Sequence, residues 1–492
     1  MDELTPLSAA GLSALPRAVQ RPRYRRETLR PGILHIGVGN FHRAHQAWYL
    51  HRLLQEGRDR DWAIIGAGVR PGDAAMRGKL LAQDCLTTLI KLDPTGSSAE
   101  VTGPMIDFLP VEPDNASLIR QMADPAIRIV SLTVTEGGYY RNPATRRFDD
   151  EHPDIRHDAE HPIRPRTAFG AMVAALRLRR AAGSGPFTGL SCDNLEANGH
   201  VLRETVVGLA RLSDPALADW IEGHCSFPNA MVDCIVPATG EREVALARAL
   251  GINDRAPVTH EPFRQWVIED DFCAGRPAWD QVGVIFTDRV HDYEVMKIRV
   301  LNAGHQVAAV PGELLSMATI ASCMEEPLIR DFFRRVLREE IAPQVPPVPE
   351  MATLHYVDLI EKRFSNTSIL DTTRRVAFDG SSRQTGFVLP TLRDALAAGT
   401  PIEGIALLQA LWARMCAGTR EDGSAIAPND PHWEALGVAA QEARQRPMAW
   451  LEQRRLYGDL ADEPRFAEAF GKWLTLIWRE GCGAALMAYV RG

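Results

Sequence analysis

The chain has 492 residues, 45% of them apolar and 24% charged, with 55 Lys and Arg against 63 Asp and Glu for a formal net charge of −8. These are the proportions of a globular chain with ample core and more than one domain, and a mildly acidic balance of mixed sign leaves no footprint for nucleic acid. No apolar run reaches the roughly 18 residues that span a bilayer.

Asp2 and Glu3 stand where a secretory leader would be basic. The eight cysteines are scattered and contain no C-x2-C pair, which argues against structural zinc and against a disulfide framework. The expectation is a cytoplasmic chain with reduced thiols. The Arg-rich stretch 17–30 is broken by Pro16, Pro22 and Pro31 and reads as an arm crossing the surface.

In chain order, 32–36 (GILHI) reads as a strand and 43–55 as a helix. Residues 62–69 (WAIIGAGV), 127–135 (IRIVSLTVT), 187–191 and 283–286 read as further strands, with amphipathic helices at 168–182 and 198–212. This alternation predicts a mostly parallel sheet flanked by helices. From Tyr293 onward, helix-period segments follow one another between breaks such as 343–349 (PQVPPVP). The expectation is an α/β domain over 1–290 and a mostly α-helical domain over 291–492.

Gly37-Val-Gly39-Asn40-Phe41-His42 closes the first strand and opens the first helix. That is the place for a phosphate-binding turn, in which Gly37 permits the bend and Gly39 lets the backbone approach a pyrophosphate. Gly37, Gly39, Asn40 and Phe41 are therefore candidate cofactor contacts. His42 stands where the fingerprint has its third glycine, so the motif alone is weak and a plain structural turn remains open. After the second strand, Asp73 is the candidate acid for an adenosine ribose, while Arg70 could equally face a 2′-phosphate, which leaves NAD and NADP both open. His42 and His45 have no third ligand nearby, so no metal is expected.

The stretch 293–305 (YEVMKIRVLNAGH) is the most informative. On an α-helix, His305 lies about 80° and Asn302 about 140° round from Lys297, so a base, an amide and an imidazole share one side. The alternative is an ordinary amphipathic helix with a solvated lysine. Tyr293-x-x-x-Lys297 also matches the YxxxK of short-chain dehydrogenases, but those chains are near half this length and place the pair much earlier.

Seven stretches together resemble the mannitol 2-dehydrogenase family, the polyol-specific long-chain dehydrogenases. They are GVGNFHRAHQAWYL (37–50), SLTVTEGGYY (131–140), SCDNLEANGH (191–200), FPNAMVD (227–233), EPFRQWVIED (261–270), MKIRVLNAGH (296–305) and RRVAFDGSSRQ (374–384). The resemblance covers nearly the whole chain and implies a Rossmann-type N-terminal domain, a helical C-terminal domain and zinc-independent hydride transfer to a nicotinamide. It makes Lys297 the general base, has Asn194 and Asn302 hold the reacting oxygen, and has His305 orient Lys297. It also implies that Arg375, Arg383 and Asp233 bind the other hydroxyls of a polyol, and that Glu294 and Glu136 lie on the proton's exit route. A monomer is the implied assembly.

The chemistry is consistent with these roles. A hydride leaves a carbinol carbon only as the hydroxyl loses its proton, and without a metal some group must take that proton and stabilise the alkoxide. A lysine does so once burial or a neighbouring cation disfavours its charged form. Asn amides donate to the alkoxide without adding a competing base. Each residue also has a plainer reading: Asn194 as a helix cap, Glu136 as a solvated loop acid, Arg375 and Arg383 in surface ion pairs, and Asp233 paired as scaffolding.

Three positions depart from the family pattern: Cys234 where MVDRI has its arginine, Ala303-Gly304 in place of GS or GG, and Arg383 where many members carry lysine. The leading expectation is oxidation of D-mannitol to D-fructose, with D-arabinitol or D-sorbitol as further substrates, using NAD. The rival within the superfamily is fructuronate or tagaturonate reductase, and the rival of another class is a non-catalytic sugar- or nucleotide-binding protein.

Overall fold

The computed structural model describes Leu4, residues 6–142 and residues 145–492. The chain divides into two compact units, Met1–His291 and Asp292–Gly492.

The first unit carries eleven strands among the described residues. In chain order they are β1 (Pro31–Ile36), β2 (Ala63–Ala67), β3 (Thr87–Asp93), β4 (Gly96–Thr102), β5 (Met105–Phe108), β6 (Ile129–Leu132), β7 (Thr188–Ser191), β8 (Ala230–Asp233), β9 (Val258–His260), β10 (Gln265–Ile268) and β11 (Ile285–Phe286). The main sheet has the order β5-β2-β1-β6-β7, and every neighbouring pair in it is parallel. β1, β2, β6 and β7 are buried throughout apart from Pro31 at the start of β1, as expected of a parallel sheet covered on both faces. Leu34 and Ile36 pack with the helix Ala168–Ala182 on one side, while Ile33 packs on the other with Leu50, Leu53 and Trp266.

That helix has local start and stop signals. Thr167 caps it by accepting from the Gly170 N–H, and Gly183 ends it in the left-handed region at φ 67°. Because β1 is flanked by β2 on one side and β6 on the other, the chain reverses its direction of winding there, and ligands bind at the carboxyl ends of strands at such a switch point.

Two smaller sheets went unread in the sequence. β4-β3-β9 contains the antiparallel hairpin β3–β4, and β11-β10-β8 contains the antiparallel pair β8–β10. The run at 283–286 supplies the two-residue β11 to the latter sheet rather than a strand to the main one. The arm before β1 joins the edge of β4, where the Gln20 N–H donates to Ala99 O and the Val101 N–H to Gln20 O.

The second unit is helical, with only isolated bridges among its described residues. The helix Glu403–Cys416 runs through its middle, buried from Gly404 to Cys416. Its N-terminus is held by the Glu340 carboxylate, which accepts from the N–H groups of Gly404 at 2.7 Å and Ile405 at 2.9 Å, placing negative charge at the positive end of the helix dipole. No helix is long and apolar enough to cross a membrane among the described residues.

Candidate active site

In the first unit, β1 runs into the glycine turn. Gly37 sits at φ +93°, and a Cβ there would lie 2.2 Å from Thr133 O, so no other residue fits. Around Gly39 a Cβ would meet nothing nearer than Gly37 O at 3.9 Å, which leaves that side open to a ligand. The helix Asn40–Ala44 follows, breaks at His45 and resumes as Gln46–Gln55, where the sequence reads as one helix. Asn40 Nδ2 donates to Pro237 O and Thr239 Oγ1, both at 2.9 Å. Its Oδ1 accepts from Arg43 at 2.7 Å, so what Asn40 offers a dinucleotide is its backbone. Phe41 stacks on His45 with ring centroids 4.8 Å apart.

His42, at the third-glycine position, lies flat on His35 of β1 at 3.4 Å between centroids. A ring-on-ring contact takes the place of the close helix–strand packing that glycine allows. Burial holds His42 well below the usual histidine range, so the pair is neutral. Asp73 closes the turn after β2: its Oδ2 accepts from the Val69 N–H at 3.0 Å and the Arg70 N–H at 2.9 Å.

Three more candidates lie in this unit. Asn194 is exposed in the loop between β7 and the helix Asn198–Ser213. That helix has Ala197, in the left-handed region, at its N-cap, so Asn194 is not the cap. Its neighbour Asp193 is buried and accepts from Val134 N at 3.0 Å, Thr135 N at 2.8 Å and Tyr139 Oη at 2.7 Å. Asp193 thereby ties the loop of Asn194 to that of Glu136, which is exposed. Asn198 donates to Ser191 O, Asp193 O and Ala230 O and accepts from Ala230 N, fastening β7 to β8. Asp233, buried, ends β8.

In the second unit, Lys297 and Asn302 begin and end a π-helical turn, Lys297–Asn302. The Ala303 N–H reaches back five residues to Ile298 O. A π turn brings residue i+5 over residue i, so the 140° separation expected on an α-helix is corrected: the two side chains leave the helix from nearer positions. Such turns recur at functional sites. Lys297 and Glu294 are both buried.

His305, on the next turn, stacks on Phe364 at 4.1 Å, and its Nε2 faces Asp371 Oδ2 at 3.7 Å. Burial lowers its pKa to about 4, so it is a neutral ring at ordinary pH. Arg375 is fork-paired to Asp371 through Nε and Nη2, each at 2.7 Å. Arg383 donates to Val376 O at 2.9 Å. A neutral imidazole, a buried lysine and an amide on adjoining turns form a set suited to moving a proton from a hydroxyl. No group of three or more His, Cys, Asp or Glu able to hold a metal ion occurs among the described residues.

The family model described as the mannitol dehydrogenase Rossmann domain matches residues 31–281, and the mannitol dehydrogenase C-terminal domain matches residues 289–478. The chain belongs to the mannitol dehydrogenase family. It is 56% identical to a mannitol 2-dehydrogenase of Cereibacter sphaeroides over 476 residues, covering 97% of this chain and 100% of the relative. Among solved structures, it is similar to the Pseudomonas fluorescens mannitol 2-dehydrogenase ternary complex with NAD and D-mannitol, at 39% identity and TM-score 0.86 over 99% of this chain and 100% of that one. It is also similar to a D-sorbitol dehydrogenase in substrate-free form, at 35% identity and TM-score 0.91 over 98% and 100%.

Within the mannitol dehydrogenase frame, two of the departures lie in closely packed surroundings. A Cβ on Gly304 would come within 3.2 Å of Phe333 and 3.3 Å of Leu337, so a larger residue there needs those two side chains to shift by a few tenths of an ångström. Cys234 is buried just beyond β8. Sequence reading passed over Asp193, Asn198, His35 and Asp371. The first two lie inside the quoted SCDNLEANGH stretch, and a buried acid or amide beside a strand end was the available signal.

Proposed function

We propose that this chain oxidises D-mannitol at C2 to D-fructose, with D-arabinitol and D-sorbitol as further substrates, using NAD. The observation that carries the reading is the π turn that begins at buried Lys297 and ends at Asn302, in a chain 39% identical to the protein solved with NAD and D-mannitol.

The turn at Gly37–Gly39 fits a dinucleotide: a Cβ beside Gly39 would meet open space, and helical N–H groups begin at Asn40. When bound, NAD supplies the hydride acceptor. Lys297 takes the proton from the reacting hydroxyl. Asn302 and Asn194 donate N–H bonds to the oxygen as its charge grows, which is worth about 3–4 kcal/mol per donor. His305, neutral, steadies Lys297. Glu294 and Glu136 pass the proton on to solvent. Asp233, Arg383 and Arg375 hold the remaining hydroxyls, Arg375 acting from its pair with Asp371. Gly37, Gly39 and the Asn40 backbone would hold the diphosphate, with Phe41 as a further contact, and Asp73 would bind the ribose. A monomer in the cytoplasm, with domains over 1–290 and 291–492, completes the reading.

The test is a matrix of initial rates, crossing D-mannitol, D-arabinitol, D-sorbitol and D-mannonate with NAD and NADP and following absorbance of the reduced nicotinamide. Turnover of a polyol with NAD is the expected result. Turnover of D-mannonate alone would move the chain to the uronate reductases, and a flat trace throughout would leave a binding protein.

A further inference from the structure

Beneath the Gly37 turn runs an unbroken line of polar side chains, buried except for the half-buried Thr133 at its end. Thr133 Oγ1 donates to the Gly37 carbonyl at 2.6 Å. His35 Nε2 lies 2.9 Å from that hydroxyl and His35 Nδ1 lies 2.8 Å from Ser131 Oγ. Ser131 Oγ in turn lies 2.9 Å from the Gln46 side-chain amide. His35, Ser131 and Gln46 are each no more than 1% exposed.

The direction of the line follows from one hydrogen per hydroxyl. The hydrogen of Thr133 goes to Gly37, so His35 Nε2 donates to Thr133. A neutral ring has one N–H, so Nδ1 accepts, and Ser131 donates to it. Ser131 then has no hydrogen left for Gln46 Oε1, the atom that faces it at 2.9 Å, and the bond is made with the Gln46 amide turned end for end, its NH2 towards Ser131. The two orientations of the amide have the same shape, and this one also gives a partner to the buried Gln46 Nε2, which the opposite orientation leaves with none. Every donor then points one way, from Gln46 through Ser131, His35 and Thr133 to the Gly37 carbonyl.

We propose that His35 and Thr133 are positioning residues for dinucleotide binding, acting through this relay on the Gly37–Val38 peptide. In a trans peptide the carbonyl and the N–H point opposite ways. Holding Gly37 O inward on Thr133 aims the Val38 N–H away from the sheet end, in the direction from which a diphosphate approaches a turn of this kind. The inference rests on the NAD reading above and adds the residues that pre-set its phosphate turn.

The experiment is fluorescence titration of the full chain with NADH, with NADPH as a second ligand. Thr133→Val keeps the shape and removes only the hydroxyl, Thr133→Ser keeps the hydroxyl, and Ser131→Ala cuts the relay one link further back. The expected result is a Kd for NADH raised about five- to tenfold by Thr133→Val, restored to within about twofold by Thr133→Ser, and raised to a lesser degree by Ser131→Ala. KM for the polyol at saturating NAD stays within about twofold throughout. A Thr133→Val chain that melts with the wild type and binds NADH equally well overturns the inference alone. If that variant does not fold, an unchanged Kd in Ser131→Ala overturns it. A wild-type chain that binds neither dinucleotide overturns the NAD reading and this inference with it.

Discussion

Arg375 grips both oxygens of Asp371, through Nε and Nη2 at 2.7 Å each, and the same carboxylate faces His305 Nε2 at 3.7 Å. The guanidinium is largely exposed, at 62% of its side-chain surface, so its contribution to stability is small. What the fork does is fix the plane of the carboxylate beside the imidazole. Arg375→Ala and Asp371→Asn are expected to lower kcat on mannitol by about tenfold each, roughly 1.4 kcal/mol of barrier. The double variant is expected to fall no more than about twofold below the worse single one, because the two act as a unit. Fully additive losses in such a cycle would show Arg375 and Asp371 acting independently of one another.

Lys297→Ala is expected to reduce kcat by about 10²–10⁴-fold, the usual range for a positioned base, with circular dichroism and melting unchanged. Lys297→Arg should fail to rescue, because a guanidinium does not give up its proton. Asn302→Ala should cost about 10²–10³-fold, the loss of one donor to a developing oxyanion. Near-normal turnover in a well-folded Lys297→Ala protein would sink the assignment.

Asp193 receives three donors, two on Oδ2 and one on Oδ1. Asp193→Asn places an N–H against one of them at a buried site, at a cost of about 1–3 kcal/mol. The expected drop in melting temperature is about 2–4 °C for each kcal/mol, accompanied by lower turnover as the loops of Glu136 and Asn194 loosen. Calorimetry beside kinetics reads both, and a variant as stable as the parent would contradict the bonding pattern.

Acid should weaken the fold from a higher pH than carboxylates alone would. Burial lowers His35 and His260 to about 3 and His305 to about 4, while the unfolded chain binds those protons near the ordinary value of about 6.5. Between these values the unfolded state holds more protons, so their stabilisation is complete above about pH 6.5 and declines as pH falls towards 4, where His305 itself protonates. Each histidine contributes a slope of up to about 1.4 kcal/mol per pH unit. Urea midpoints taken stepwise between about pH 7.5 and 5 should fall; a flat profile would mean that these rings bind protons alike in the folded and unfolded states.

The parts of the fold legible in the sequence are those with local causes. The helix Ala168–Ala182 has its period, its Thr167 cap and its Gly183 stop all within a few residues, and the strand at 32–36 ends on a glycine that no other residue can replace. β8 and β10 were not legible because each is four residues long and the pairing of Asp233 with Gln265 is made only on folding. At the candidate site, Lys297 and His305 stood out by residue type and spacing. The π turn between Lys297 and Asn302 carries no sequence mark, since it is a choice of backbone hydrogen bond. His35 and Asp371 acquire their roles only through neighbours distant in the chain, at Thr133 for the first and at His305 for the second.

The wide turn at Lys297–Asn302 holds one residue more than an ordinary α turn would. Removing one residue between Ile298 and Leu301 would let the helix tighten to an ordinary α turn, with Lys297 then four residues from Asn302 and about 40° round from it. The pair would keep its shared side of the helix, and only the wide turn between them would be lost. Within this stretch a single-codon deletion is therefore a smaller perturbation than elsewhere in the helix, where it would turn one side against the other by about 100°.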